Sequence, residues 1–459
     1  MNEYWRYACL DVRNSVVCVS IAAAALACGG RTPVGNEAWG AGARGGVAVA
    51  RPGGANTGGG SGSDPSDAAP PDPSRVTGIV TDVQGRGFLG MELQLGSSTA
   101  TSDAAGRFEF ASAPATYDVS MIFDSDIYVY TGLSRRDLVL RMERYSSAPA
   151  RHANPTVTAP SADTDTLKTV TFFELLDPVD FNSYTLVEKD TATTFYITWI
   201  GPEAVGIRLH AFQFACHRVT HVTTGLVAYD ATERRLNEGD SFNWTPEWKG
   251  VPFAGATLSA DATLPPGYTA HEARLFTKPN GRAPDFLLAR AFNFTDPHIS
   301  FLVPDMPGAT FDLEMRSSSD LSGTIRRATG LTARSPVPLL EMEPGPIAVA
   351  PPRDSMDVGV GTALQWENPA GRPVMVDVFL SKPDGSIYRS YHLVTAGTSV
   401  SIPDLSSRGI TFPRGMAGHW RVYSTSATTV EDLAAFGEAH SDLPQSTVAY
   451  SYDQQFTTK

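Results

Sequence analysis

Short segments in which apolar and polar residues alternate recur along the chain from residue 75 onward. Examples are Val76–Asp82, Thr194–Trp199 and Glu272–Phe276, and Gly, Pro, Asn and Asp separate such segments at short intervals. A period of two sends successive side chains to opposite faces of a strand, and the turn residues join strands into hairpins. A helical pattern occurs at Thr428–Phe436, where Thr428 and Glu431 form a capping box. The pattern predicts an all-β chain built from tandem small β-sandwich modules.

Changes in amino-acid composition and in the strand pattern divide this part of the chain into modules. The predicted sandwiches cover 75–143, 155–248, 249–335 and 342–459, with a linker rich in Ser, Ala and Pro after the first. Two weak internal sequence similarities support these divisions. Trp199–Leu209 resembles Trp366–Val376, and Ile299–Met306 resembles Val400–Leu405. The sequence leaves open whether 155–335 is one domain or two.

The first module carries a long pattern of strand and turn residues. It resembles the carboxypeptidase regulatory-like domain, a transthyretin-like β-sandwich, over about residues 75–143. The resemblance implies a structural or docking role and brings no catalytic residues with it. The matching residues are Gly78, Val80, Asp82, Gly85, Leu89, Gly90, Thr101, Asp103, Gly106, Phe108, Phe110, Pro114 and Tyr117.

The last module has a Pro-rich entry at Pro351-Pro352, a strand ending in Trp366 and a late strand Trp420–Tyr423. It resembles a fibronectin type III or similar immunoglobulin-like domain. That resemblance implies a fold and no particular ligand.

The N-terminal residues have the pattern of an export signal. Val16–Ala27 contains no charge and is too short to span a bilayer, and it ends in Ala25-Leu26-Ala27 before Cys28. These residues resemble the lipobox of bacterial lipoproteins, which implies a signal peptide at 1–27 and lipidation of Cys28. Gly29 after the cysteine implies transport to the outer membrane, on its periplasmic side or at the cell surface. The alternatives are an ordinary cleaved signal or a buried apolar segment.

Residues 28–74 are rich in Gly and Pro and poor in apolar side chains. Such a segment buries too little apolar surface to offset its chain entropy, so we expect a disordered tether.

The amino-acid composition limits which kinds of molecule the protein can bind and how many free thiols it has. The net charge is −13, and no basic run exceeds a pair such as Arg135-Arg136, which argues against nucleic acid. The four cysteines are Cys9, Cys18, Cys28 and Cys216. Cleavage before a lipidated Cys28 leaves one free thiol at Cys216 and no disulfide.

Motifs of common enzymes are missing from the sequence. None of the nine histidines is followed three residues later by Glu, as in zinc carboxypeptidases, and His271-Glu272 does not continue into a second zinc-binding histidine. There is also no nucleophile elbow, phosphate loop or dinucleotide fingerprint. We therefore expect no catalytic residues and no cofactor.

Two groups of residues are candidates for a site. His210, Cys216, His217 and His221 are zinc-type ligands close in sequence, but strand alternation places His210 and Cys216 on one face and His217 on the other. A buried strand with Phe212, Phe214 and Cys216 in the core and histidines at a hairpin end is favoured over a metal site.

Trp244 and Trp248 form the second candidate, because two indoles around a proline can make a stacking platform for a sugar ring or a hydrophobic partner. The alternative is a plug that buries both rings between the second and third modules.

The leading hypothesis is a non-catalytic exported lipoprotein that presents β-sandwich modules for adhesion, docking or scaffold contacts at the cell envelope. Its partners would be the membrane, through the lipid anchor, and a cell-surface protein or glycan. The alternative is a carbohydrate- or peptidoglycan-binding module that acts beside an enzyme. A third hypothesis is a novel hydrolase that uses the region His210–His221.

Overall fold

The structure is a computed structural model, and it confirms the all-β fold of tandem β-sandwiches, with 61% of residues in strands and 3% in helix. It describes residues 74–82, 85–142, 150–159, 166–189, 192–218, 223–281, 285–292, 297–436 and 445–459. The predicted signal peptide, Cys28 and nearly all of the predicted tether lie outside these residues. Within them, no helix is long and apolar enough to cross a membrane.

The first sandwich packs a three-stranded sheet, in the order β4-β1-β7, against the strands β3-β2-β5-β6. Alternating residues such as Phe108, Phe110 and Val119 fill the space between the two sheets. Its strands are β1 (Val76–Thr81), β2 (Glu92–Leu95), β3 (Ser98–Thr101), β4 (Arg107–Phe110), β5 (Tyr117–Phe123), β6 (Asp126–Leu133) and β7 (Asp137–Arg141).

The second sandwich has a four-stranded sheet, β10-β11-β8-β14, and a three-stranded sheet, β13-β12-β9. Phe195, Ile197 and Trp199 alternate along one strand and are fully buried. The strands are β8 (Arg151–Thr158), β9 (Leu167–Leu175), β10 (Asp180–Lys189), β11 (Ala192–Ile200), β12 (Ala204–Cys216), β13 (Thr223–Asn237) and β14 (Ser241–Trp244).

The third sandwich has one sheet in the order β18-β15-β21 and a second set of strands in the order β17-β16-β19-β20. Leu275, Leu313 and Met315 are fully buried in its core. The strands are β15 (Gly255–Thr263), β16 (Thr269–Lys278), β17 (Phe286–Phe292), β18 (His298–Pro304), β19 (Thr310–Ser318), β20 (Ser322–Leu331) and β21 (Leu340–Glu341).

The fourth sandwich has a sheet in the order β22-β24-β27, packed on β26-β25-β28 and their neighbours. The predicted short helix is present as α1 (Val430–Phe436). Thr429 rather than Thr428 caps it, since the Asp432 amide donates to Thr429 Oγ1 at 3.1 Å, while the Glu431 carboxylate accepts from the amides of 134 and 135. The strands are β22 (Ile347–Ala350), β23 (Ser355–Val358), β24 (Ala363–Glu367), β25 (Val374–Ser381), β26 (Ile387–Thr395), β27 (Ser399–Ser401), β28 (Ala417–Thr425), β29 (Gln445–Ser451) and β30 (Gln454–Thr458).

Shared sheets join the sandwiches. In the described part of the chain, one 14-stranded sheet runs from the third sandwich through the fourth into the first, because β20 pairs with β29 and β26 pairs with β6. The second and third sandwiches instead share one hydrophobic core. The order in space is therefore second, third, fourth, first.

The joint between the first and fourth sandwiches brings together residues far apart in sequence. β6 and β26 pair in parallel from Asp126 with Ser390 to Tyr130 with Val394. Helix α1 packs mainly on β7 and β6, and Leu433 is fully buried in the core of the first sandwich. The partner strand of β6 therefore comes from the other end of the chain.

Candidate binding surfaces

His210 lies in the middle of β12 and is only 1% exposed. Its Nε2 lies 3.2 Å from Glu174 Oε2 and its Nδ1 lies 3.3 Å from the Tyr229 hydroxyl. The ring also stacks on Phe172, with 5.0 Å between ring centroids. Both ring nitrogens therefore have partners inside the protein, and the expectation of a histidine at a hairpin end is wrong for His210.

The burial of His210 and its contact with Glu174 shift the pKa values of both groups. Burial lowers the pKa of His210, more than the hydrogen bond and charge of Glu174 raise it. The hydrogen bond with His210 holds the pKa of Glu174 below its ordinary value, with Arg208 adding to the effect. A neutral imidazole that donates to a carboxylate satisfies both groups, so this cluster stabilises the sheet interior.

The other members of the histidine–cysteine group do not converge on His210. Cys216 is buried, as expected, together with Phe212 and Phe214. Six residues of extended strand separate His210 from Cys216, which is about 20 Å and too far for a shared metal ion. His217 is exposed just after β12 ends, and His221 lies outside the described residues. Among the described residues, no group of three or more His, Cys, Asp or Glu side chains could hold a metal.

The two tryptophans of the predicted platform occupy different positions. Trp244 lies on β14 and packs, partly buried, against the core shared by the second and third sandwiches. Trp248 lies after the end of β14, and its own backbone has a positive φ of 50°. Its indole nitrogen is buried and has no hydrogen-bond partner among the described residues. Trp244 therefore faces inward, and ligand binding by this pair stays a prediction.

The outer face of the sheet β10-β11-β8-β14 carries mainly hydroxyl and amide side chains. We call it the hydroxyl face. Tyr196 lies on β11, one of the two inner strands, and is 43% exposed, while Val187 lies on the edge strand β10 and is 36% exposed. Its members are His152, Asn154, Thr156, Ser183, Thr185, Val187, Thr194, Tyr196, Thr198, Ser241 and Asn243.

Strand alternation produces this face. Phe195, Ile197 and Trp199 point into the core, so Thr194, Tyr196 and their neighbours point outward. Thr156 and Thr194 lie opposite each other on adjacent strands, and their hydroxyl oxygens are 3.0 Å apart. The four strands span about 14 Å between the outer two.

The sequence analysis did not identify this face. Its residues are ordinary strand formers, and only the pairing of β10, β11, β8 and β14 brings them together. The available signal was the alternation of Thr194, Tyr196 and Thr198 with large apolar residues.

Comparison with known proteins gives no family for the chain. No protein-family model matches it, and no curated protein matches it. Among solved structures, the native conformation of the Escherichia coli alpha-2-macroglobulin is similar at 13% sequence identity with a TM-score of 0.14. The match covers 82% of this chain and 27% of that protein. A likeness at that TM-score carries no argument about fold or function.

Proposed function

We propose that the protein is a non-catalytic exported lipoprotein that presents β-sandwich modules for docking at the cell envelope. The observation that carries the proposal is the continuity of the sandwiches through shared sheets and a shared core. A continuous array holds its outer sheet faces at fixed positions, which suits a scaffold that contacts partners over a large surface.

The closed environment of His210 also supports a binding role over the hydrolase hypothesis. The side chain is 1% exposed, and both ring nitrogens face protein partners. A general base has to lie within hydrogen-bond reach of its substrate, and this imidazole is enclosed.

The anchoring part of the proposal is tested at Cys28. A thioether-linked diacylglycerol supplies the two acyl chains that stable membrane attachment requires. Replacing Cys28→Ser should abolish incorporation of labelled palmitate and release the protein from the membrane fraction, or leave it as an unprocessed precursor. Cys216→Ser is the matched control and should keep the label. A Cys28→Ser protein that is still cleaved, labelled and membrane-bound would refute the anchor.

The hydroxyl face favours a second candidate function, the binding of a neutral glycan. Its hydroxyl and amide groups can donate and accept hydrogen bonds, and the exposed ring of Tyr196 can pack on a sugar ring. Hydroxyl and amide side chains make up most of the face, which favours a neutral partner over a strongly charged one.

A sedimentation assay with insoluble polysaccharides tests this function. Full-length protein would be incubated with peptidoglycan sacculi, chitin and cellulose, and the bound fraction measured. Tyr196→Ala should weaken binding about two- to tenfold, since one aromatic contact contributes about 0.5–1.5 kcal/mol. Tyr452→Ala, at a 37% exposed tyrosine of the fourth sandwich, is the control and should bind normally. Equal binding by both variants would exclude the hydroxyl face as the glycan site.

A further inference from the structure

A compact cluster of buried charged side chains lies at one end of the strands β17-β16-β19-β20 in the third sandwich. Lys278 ends β16, Asp285 precedes β17, Asp312 lies on β19 and Arg327 lies on β20. Their exposed fractions are 4%, 5%, 1% and 6% respectively. The cluster is therefore enclosed by protein and has little contact with water.

Lys278 lies between two carboxyl groups. Its Nζ is 3.2 Å from Asp285 Oδ1 and 3.1 Å from Asp312 Oδ2. Asp285 Oδ1 nevertheless has no hydrogen-bond partner within the described residues, so the amine approaches this carboxyl outside hydrogen-bonding geometry. Since a carboxyl C–O bond is about 1.2–1.3 Å long, the Lys278 Nζ lies within about 4.5 Å of Asp285 Cγ.

The two carboxyl groups have different surroundings. Asp312 accepts hydrogen bonds from the Gly330 amide at 2.8 Å and from Arg327 Nη2 at 2.8 Å. Burial by itself would raise the pKa of Asp312, but Arg327 and Lys278 outweigh it, and the pKa lies below its ordinary value. For Asp285, burial is the larger effect and raises the pKa above its ordinary value, despite the nearby Arg327 and Lys278. Asp312 is thus the carboxyl group that stays ionised, and Asp285 is the one that burial favours as a neutral acid.

We propose that Lys278 and Asp285 form an intramolecular isopeptide bond, with Asp312 as the proton acceptor. The Lys278 ammonium gives a proton to Asp312, and the Nζ lone pair attacks Asp285 Cγ. The electron pair of the C=O bond moves to Oδ2, which Arg327 Nη2 holds by a hydrogen bond.

The tetrahedral intermediate then collapses to the amide. Asp312 passes its proton to the Oδ1 hydroxyl, which leaves as water, and takes up the second proton lost from Nζ. An ammonium and a neutral carboxylic acid give an amide and one water molecule, with the remaining proton on Asp312. No oxidant or reductant is needed, and the dry surroundings disfavour hydrolysis of the product.

Mass spectrometry of full-length protein tests the bond directly. Trypsin cuts after Arg274, Arg282 and Arg290, so an unlinked chain gives the separate peptides 275–282 and 283–290. The isopeptide bond would keep these two peptides joined, with a combined mass lower by one water molecule. Separate peptides from folded wild-type protein would overturn the proposal.

Variants assign the roles of the residues. Lys278→Arg keeps the positive charge but removes the primary amine, so its peptides should separate, and its intact mass should show no loss of water. Asp312→Asn should likewise lack the bond, whereas Lys382→Arg, at an exposed lysine, should retain it. A cross-link from Lys278 to the peptide 291–316 would show that Asp312 is the acceptor of the bond and overturn the assignment to Asp285.

Discussion

Leu433 offers a test of whether the joint between the first and fourth sandwiches is energetically significant. The side chain lies on α1, is fully buried, and belongs to the core formed by the first sandwich. Leu433→Ala removes three carbon atoms from an enclosed site. Substitutions of this kind cost about 2–5 kcal/mol, and we expect about 3 kcal/mol here.

Hydrogen exchange followed by mass spectrometry localises this effect. Because α1 packs mainly on β7 and β6, the amides of 117–142 should exchange roughly a hundredfold faster in Leu433→Ala. This protected region lies about 300 residues away in sequence. Leu89→Ala, at a 66% exposed leucine of the first sandwich, is the control and should change stability by less than about 0.5 kcal/mol. Faster exchange confined to α1, with 117–142 unaffected, would refute the coupling.

Three further predictions concern single groups. Glu431 accepts hydrogen bonds from the backbone amides of 134 and 135 at 2.7 and 3.1 Å. Glu431→Ala should therefore lower the free energy of unfolding, measured in urea, by about 2–4 kcal/mol. Asp432→Ala breaks an exposed ion pair and should lower it by less than about 1 kcal/mol. The free energy of unfolding should fall as the pH drops from about 7 to about 5, because His210 is neutral in the folded protein and takes up a proton near pH 6.5 in the unfolded chain. It should fall further at still lower pH, because the pKa of Glu174 is lower in the folded protein than in the unfolded chain. Urea midpoints that rise on acidification would contradict this. Cys216→Ser should lower the free energy of unfolding by about 1–2 kcal/mol in the same assay, because it places a hydroxyl in a buried position, and it should leave membrane attachment unchanged. A folded Cys216→Ser variant that no longer binds its partner would show that the thiol belongs to a binding site.

Alternation was sufficient to predict the fold class. Segments such as Thr194–Trp199 contain both the strand and its buried face, and the helical pattern at Thr428–Phe436 located α1, with the capping residue one position later than predicted. These signals are local, because each depends on residues within one strand or one helical turn.

Features that depend on distant pairing could not be predicted in this way. Nothing in Asp126–Leu133 indicates that its partner is Ile387–Thr395, since many short strands have equally suitable patterns. Alternation along Thr310–Ser318 also gives no indication that the polar side chains of Glu314 and Arg316 are buried. The structure buries both and pairs them at 2.7 Å. Lys278 and its carboxyl partners belong to the same class of buried charge.

The pairing of β6 with β26 also has a consequence for the order in which the chain folds. A ribosome or export channel delivers Asp126–Leu133 long before Ile387–Thr395, so a newly made first sandwich has an open strand edge while some 250 further residues emerge. Closing a loop of that length costs entropy before any contact is gained, so docking of the two ends should be a late and slow event. Meanwhile the free edge can pair with other chains. Folding yield should therefore depend on protein concentration and on chaperones that cover exposed strands.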